Sequence, residues 1–202
     1  MNIGVVYFRQ GKYEEGIPFI EKAIKLEPRA DLYSDLGTAY FFLRRYKEAV
    51  PMFEKAVEMS PGVEWIVGNL ADAYRCSGRA DQAQSTYDKA IGLAYKELQV
   101  NPHKADTMGN LALYYAKKGD STQALQFIRR ARSIDPNTNQ LMYDEAQVQV
   151  LANHPEEALK ALREAFQKGY SPEEARNDPE LESLQSRPEF EKLLKEFNAK
   201  RQ

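Results

Sequence analysis

The sequence has little cysteine and little histidine, which excludes several kinds of site. Cys76 is its single cysteine, so no internal disulfide framework is possible and a reducing compartment, the cytoplasm, is favoured. The two histidines, His103 and His154, each stand beside a proline at a predicted helix boundary, without metal-ligand spacing to Cys76. We therefore expect exposed loop histidines, no bound metal and no cofactor.

Long apolar runs and an excess of charge of one sign are also missing. No apolar run approaches the roughly 20 residues of a membrane-spanning helix, and the N-terminal stretch lacks the pattern of a signal peptide. Lysine and arginine total 28 against 30 acidic residues, so no net field attracts nucleic acid or an anionic membrane. Neither of these is expected as a partner.

Motifs that carry catalysis do not occur in the sequence. It has no phosphate-cradling glycine loop and no nucleophile elbow. Cys76 has no paired histidine, and a lone thiol of this kind is more typical of structure than of nucleophilic chemistry. The arginines at 129, 130 and 132 favour a solvated face over a phosphate site, and the carboxylates are expected on solvent faces. We therefore do not expect an enzyme.

What the sequence does contain is a repeat of 33 to 34 residues. Tyr40 and Tyr74, Ala49 and Ala83, Phe53 and Tyr87, and Ala56 and Ala90 each lie 34 residues apart. Within 30–61, two apolar patterns of helical period are separated by the polar turn Arg44-Arg45, and Pro61 ends the second. Gly37 is small where two helices must approach closely. One such hairpin cannot bury its apolar face alone, so neighbouring hairpins must stack.

This pattern resembles the tetratricopeptide repeat. The family's series of aromatic, Leu-Gly, Tyr, Ala, aromatic, Ala and Pro is matched by Tyr33, Leu36-Gly37, Tyr40, Ala49, Phe53, Ala56 and Pro61. The resemblance implies an all-α fold, a right-handed superhelical solenoid of about five antiparallel helix pairs with a C-terminal helical cap. It also implies a non-catalytic module that binds a protein or peptide segment.

The expected repeats lie at about 1–29 (incomplete), 30–63, 64–104, 105–138 and 139–168, so that the array spans 1–168 and capping helices span 169–202. In 64–104 the second helix is expected to run from about Ala80 to Gln99. The reason is that Pro102 comes 41 residues after Pro61, and seven extra residues are close to two helical turns. This longer helix is either a length variant or a docking lip.

The tail is predicted to begin with Gly169 as a helix C-cap and Ser171 as a helix N-cap, and further short segments are predicted to start at Asp178-Pro179 and Arg187-Pro188. Its sequence, GYSPEEARNDPELESLQSRPEFEKLL, resembles the tails of tetratricopeptide regions in bacterial eukaryotic-like serine/threonine kinases and nucleotide cyclases. The resemblance implies an alternative function, as the regulatory or oligomerisation region of a larger signalling protein. It implies that the chain would belong to a signalling protein, not that the chain is itself catalytic. It does not predict an oligomeric state.

In tetratricopeptide arrays the first helix of each repeat lines the inner surface, where extended segments usually bind. One position on these helices, which we name the first-helix row, is occupied by Asn2, Asp35, Asn69, Asn110 and Asp144. Amide side chains offer both a donor and an acceptor to a peptide backbone, although hydrogen bonds between helices are the alternative. Gly68 and Gly109 are also expected inside these helices, where a glycine is unfavourable. Either a bound chain or a neighbouring helix that approaches closely would explain them.

Three further residues complete the predicted binding surface. Trp65 is a candidate aromatic anchor, whereas Phe41 and Phe42 are expected in the core. Asp72 and Asp106 make the inner surface acidic, which favours a neutral or basic partner segment.

Overall fold

The computed structural model describes Tyr7 and residues 11–199, and within this part of the chain it is all-helical without a β-strand. The helices are α1 (Tyr13–Leu26), α2 (Ala30–Phe42), α3 (Tyr46–Met59), α4 (Glu64–Cys76), α5 (Ala80–Val100), α6 (Ala105–Lys117), α7 (Ser121–Ile134), α8 (Asn139–Leu151), α9 (Pro155–Gln167), α10 (Pro172–Asn177), a 3₁₀ helix (Pro179–Leu184) and α11 (Pro188–Ala199). The predicted all-α fold of helical hairpins is confirmed. The expected repeat boundaries stay a prediction.

Two compact units make up the chain, unit 1 (Met1–Leu93) and unit 2 (Ala94–Gln202), with the division inside α5. In unit 1, α2 and α3 form one hairpin, and α4 with the first turns of α5 forms the next. In unit 2, α6 pairs with α7 and α8 pairs with α9. Connections of only three residues make the two helices of a hairpin antiparallel.

Each of these hairpins turns on one residue in the left-handed backbone region. In unit 1 these residues are Arg44 (φ 58°) and Gly78 (φ 81°), and the hairpins of unit 2 turn on a glycine and an asparagine with similar angles. The next residue donates its backbone N–H to the last turns of the first helix, from Arg45 to the Tyr40 carbonyl at 2.8 Å. This is the helix ending that a left-handed residue permits, and it fixes where the second helix starts.

Small residues let the two helices of a hairpin approach closely. A methyl group at Gly37 would lie 2.9 Å from the ring of Phe53, closer than side-chain carbons come in proteins. Phe53, Ala49 and Ala56 are all buried on the facing side of α3. Large and small side chains therefore alternate across the hairpin, as the sequence predicts.

Helix α5 has the extra length that the spacing of the prolines indicates. In unit 1, the hydroxyl of Tyr74 donates to Oε1 of Glu54 on the preceding second helix at 2.8 Å. In unit 2, the hydroxyl of Tyr115, at the position equivalent to Tyr74, lies 3.0 Å from the hydroxyl of Tyr95 on α5. Tyr95 stands seven residues beyond the α5 position equivalent to Glu54, so the same contact is made two turns further along the helix.

The tail packs as a cap on α8 and α9. Gly169 adopts a φ of 93° and ends α9, and Ser171 accepts a hydrogen bond from the start of α10, both as predicted. Asp178 caps the 3₁₀ helix in the same way. From α11, Phe190, Leu194 and two neighbours join the buried cluster of α8 and α9. The apolar stripe of the tail is thus covered within unit 2.

Charged residues correct two expectations. The expectation that carboxylates lie on solvent faces is wrong for four buried residues, Glu64, Asp144, Asp178 and Glu180. Arg132 is also not on a solvated face, because its guanidinium bonds Glu145 at 3.0 Å and Glu164 at 2.9 Å. Arg129, Arg130 and both histidines are exposed, as expected.

Candidate functional site

In unit 1, the first helices α2 and α4 lie side by side. Because the antiparallel α3 stands between them in the chain, α2 and α4 run in the same direction, and Nδ2 of Asn69 lies 3.4 Å from Oγ of Ser34. Asp31 and Asp35 are one turn apart on α2, and Trp65 and Asn69 are one turn apart on α4. We name Asp31, Asp35, Trp65 and Asn69 the α2–α4 patch.

Trp65 is the most accessible member of the patch, with 43% of its surface exposed. Asn69 is half-buried, and its 3.4 Å contact with Ser34 is a long, weak hydrogen bond between two helices. At Asn69, this contact supports the alternative that residues of the first-helix row form hydrogen bonds between helices. Such a bond uses one N–H of the amide and leaves its other donor to be matched elsewhere.

Asp35 is a half-buried carboxylate to which no residue in the described part of the chain donates a hydrogen bond. Burial, together with the neighbouring charge of Asp31, raises the pKa of Asp35 to about 6, against the lowering effect of Arg29. Asp31 itself accepts from Arg29, with Nε 3.0 Å from Oδ1 and the second guanidinium nitrogen on Oδ2. Within the described residues, Asp31 is thus neutralised by a direct ion pair and Asp35 is not.

Asp72 faces into its own hairpin. Its carboxylate accepts a hydrogen bond from the hydroxyl of Tyr87, a fully buried residue of α5, and Nε of Arg75 lies 3.3 Å from the same hydroxyl. Burial and the charge of Asp72 raise the pKa of Tyr87. This contact gives Asp72 a role in holding α4 against α5.

In unit 2, the predicted site residues differ in accessibility. Asp106 is exposed and Asn110 is half-buried, both on α6. A methyl group at Gly109 would lie 2.8 Å from Cδ2 of Leu141 and 3.0 Å from Oδ2 of Asp144, so a close neighbouring helix accounts for this glycine.

Asp144 is 4% exposed and accepts a hydrogen bond from Nε2 of Gln140 at 2.8 Å. Burial raises the pKa of Asp144 to about 7, against the lowering effects of that hydrogen bond and of Lys117. Asp144 is therefore covered where the sequence predicts a surface residue. Asn2, the remaining member of the row, lies outside the described residues.

Comparison with known proteins decides the family. A sequence model of the tetratricopeptide repeat matches residues 1–61 and 63–137, well over half of the chain. The chain belongs to the tetratricopeptide repeat family. A search of curated proteins found no match.

Solved structures of tetratricopeptide repeat proteins resemble the chain. A thermophilic protein of this kind from Thermus thermophilus has 19% identity and a TM-score of 0.65 over 95% of both chains, which shows a shared fold. MamA from Desulfovibrio magneticus RS-1 covers 83% of this chain and 91% of its own, with 16% identity and a TM-score of 0.47. YrrB, described as having an unusual peptide-binding site, covers 83% and 84%, with 21% identity and a TM-score of 0.44.

A buried polar cluster in unit 2 of this tetratricopeptide repeat protein is absent from the sequence predictions. Asp178, which caps the 3₁₀ helix, also accepts hydrogen bonds from the hydroxyl of Tyr143 and from Nε2 of Gln147 at 2.6 Å. Nearby, Nζ of Lys117 lies 3.7 Å from Oε1 of Glu180, and both side chains are buried. The sequence predicts that a short segment starts at Asp178, but the partners of Asp178 on α8 follow no repeat pattern.

Among Tyr7 and residues 11–199, no group of three or more His, Cys, Asp and Glu side chains is arranged to hold a metal ion. No helix in the same part of the tetratricopeptide repeat protein is long and apolar enough to cross a membrane.

Proposed function

We propose that this tetratricopeptide repeat protein binds an extended segment of a partner protein on the first helices of its hairpins. The observation that carries the proposal is the α2–α4 patch. There an exposed tryptophan stands one turn from a half-buried amide on α4, and the neighbouring helix α2 carries a carboxylate without a donor in the described chain. Large rigid aromatic anchors and polar groups that match a peptide backbone are the features that such recognition uses.

The predicted site residues take different roles in this proposal. Asp35, Trp65 and Asn69 in unit 1, and Asp106 and Asn110 in unit 2, form the binding surface of each unit. Asp72 holds α4 against α5 through Tyr87, whereas Asp144 is buried and accepts a hydrogen bond from Gln140 of its own helix α8. The accessible carboxylates favour a neutral or basic segment over an acidic one.

The alternative function, as the regulatory or oligomerisation region of a bacterial kinase or cyclase, rests on the sequence of the tail and stays a prediction. It is compatible with a binding surface on the first helices, because a segment of the same larger protein is also a possible occupant. The catalytic role of any such protein would lie outside the residues described above.

The test compares amides on first and second helices. A peptide is first recovered from a display library by selection on the wild-type protein. Its affinity is then measured for Asn69→Ala, for Asn110→Ala and for Gln126→Ala, whose exposed amide lies on the second helix α7. Each backbone-matching hydrogen bond contributes about 0.5–1.5 kcal/mol, so each first-helix variant should bind a few-fold to about tenfold more weakly.

The control variant Gln126→Ala should bind as the wild type does. Melting temperatures of all variants separate recognition from folding. If Asn69→Ala and Asn110→Ala are less stable but bind the peptide with full affinity, the amides serve only to join helices. The first-helix surface would then be withdrawn as the binding site.

A further inference from the structure

We propose that the α2–α4 patch receives an arginine side chain of the bound segment, with the guanidinium against the carboxylate of Asp35 and the ring of Trp65. The inference rests on the proposed function and names the chemistry of the partner in unit 1. Its occupant is a segment that carries arginine. A segment with only neutral polar side chains would bring no cation to the carboxylate of Asp35.

Asp35 lacks a compensating partner among the described residues. Its carboxylate is half removed from water, and neither a hydrogen-bond donor nor a direct ion pair among the described residues compensates for that. The charged groups that act on it are Asp31, one turn away on the same helix, and Arg29, which is already paired with Asp31. From the neighbouring helix α4, the patch contributes an indole and an amide, neither of them charged. An incoming cation would supply the missing interaction.

On the neighbouring helix α4, the indole of Trp65 is exposed. A cation over an indole face gains electrostatic attraction, and the planar guanidinium can stack there while it donates to a carboxylate. Arginine does both at once, whereas the compact ammonium of lysine has no plane to stack. The combination of an aromatic ring and a carboxylate without a donor among the described residues therefore selects arginine over lysine.

Unit 1 itself contains arginines that contact carboxylates and an aromatic ring. The guanidinium of Arg29 forks onto Asp31, with its Nε 3.0 Å from Oδ1, so this face of α2 accepts a two-point contact. In the same unit, the guanidinium of Arg45 lies 4.6 Å from the ring centroid of Tyr40 while it bonds Glu48. An arginine shared between a ring and a carboxylate is thus a contact that this unit makes within itself.

Trp65 makes the test direct, because it is the single tryptophan of the chain. Its fluorescence is titrated with three capped peptides, built from repeated Gly-Ser-Arg, Gly-Ser-Lys and Gly-Ser-Gln units. The arginine peptide should change the fluorescence and bind at least about tenfold more tightly than the glutamine peptide, with lysine between them.

Variants locate the contact. Asp35→Asn should remove most of the preference for arginine over glutamine, whereas Asp81→Asn, at an exposed carboxylate on the second helix α5, should preserve it. Arg29→Ala should bind the arginine peptide as tightly as the wild type or more tightly, since it removes an internal competitor.

A measurement that needs no substitution follows from the raised pKa of Asp35, about 6 in the free protein. An adjacent guanidinium favours the ionised carboxylate, so binding releases a proton below about pH 6. Affinity for the arginine peptide should fall as the pH drops from about 7 to about 5 in the wild type. In Asp35→Asn it should stay nearly constant over the same range.

Three results would overturn the inference. Equal affinity for the arginine and glutamine peptides, with both weakened by Asn69→Ala, would remove arginine selection and leave the proposed function intact. An arginine preference that survives in Asp35→Asn would place the cation elsewhere. Failure of every peptide to bind, together with a display selection that yields no binder, would remove both proposals.

Discussion

Substitution of Asp144 by asparagine should make unit 2 more stable at neutral pH and leave it unchanged in acid. Asp144 is buried on α8 with one hydrogen bond, from Gln140, and its pKa is raised from 3.8 to about 7. A buried acid with a raised pKa opposes folding whenever it must ionise. Asparagine keeps the acceptor oxygen for Gln140 and has no charge to bury.

The sign and size follow from proton linkage. Between about pH 4 and pH 7 the unfolded chain has released the proton of Asp144, whereas the folded chain still holds it. Stability therefore falls as the pH rises, by about 1.4 kcal/mol per pH unit, until the folded carboxyl also ionises near pH 7. A shift from 3.8 to about 7 gives a ceiling of about 4 kcal/mol for the gain of Asp144→Asn at about pH 8. Near pH 4 the gain should be close to zero.

The assay is urea unfolding followed by circular dichroism at several pH values from about 4 to 8, for wild type and variant. Hydrogen exchange of α8 amides assigns the effect to unit 2. The raised pKa of the neighbouring Asp178 acts in the same direction, but it is common to both proteins and cancels in their difference. Asp106→Asn, at an exposed carboxylate of the same unit, should change stability by less than about 0.5 kcal/mol throughout. A gain for Asp144→Asn that does not vary with pH would refute the reasoning.

Two further predictions concern unit 1 and α5. Gly78→Ala should destabilise by about 1–2 kcal/mol, because φ is 81° there, whereas Gly92→Ala inside α5 should stabilise by about 0.5–1 kcal/mol. Neither added methyl group would meet a neighbouring side chain or segment within 4 Å, so the two changes differ in their backbone conformation. Unfolding midpoints that shift in opposite directions would show this backbone effect, and shifts of the same sign would contradict it. Ala56→Leu should lower stability by about 1–3 kcal/mol, since Ala56 is fully buried, and an unchanged melting temperature would show that α3 has room there.

The hairpins could be predicted from the sequence because their packing depends on residue size at fixed intervals. Phe53 against Gly37 and the buried alanines of α3 repeat with the period of the chain, so one repeat predicts the next. The length of α5 could be predicted for the same reason, because seven residues preserve the buried face. The local caps at Ser171 and Asp178 depend only on adjacent residues.

The polar contacts could not be predicted in this way. Asp35 and Asp144 occupy equivalent positions, yet one has no donor in the described chain and the other is buried against Gly109 and bonded to Gln140. Asp144 has Gln140 one turn earlier on its own helix, where Asp35 has Asp31, and the residue at that position is not set by the repeat. The partners of Asp178 on α8 lie more than 30 residues away in sequence and are specified only by the docking of the cap.

The contact between Tyr95 and Tyr115 has a consequence for how proteins of this fold can change length. Each residue turns a helix by about 100°, so seven residues fall only about 20° short of two full turns and lengthen the helix by about 10 Å. Five inserted residues would rotate the exit face by about 140° and turn the position of Tyr95 away from Tyr115. Insertions in the second helices therefore keep the buried face in phase when they come close to whole turns, as seven residues do. In α5, which carries one such insertion, Tyr95 takes the place opposite Tyr115 that Glu54 holds opposite Tyr74.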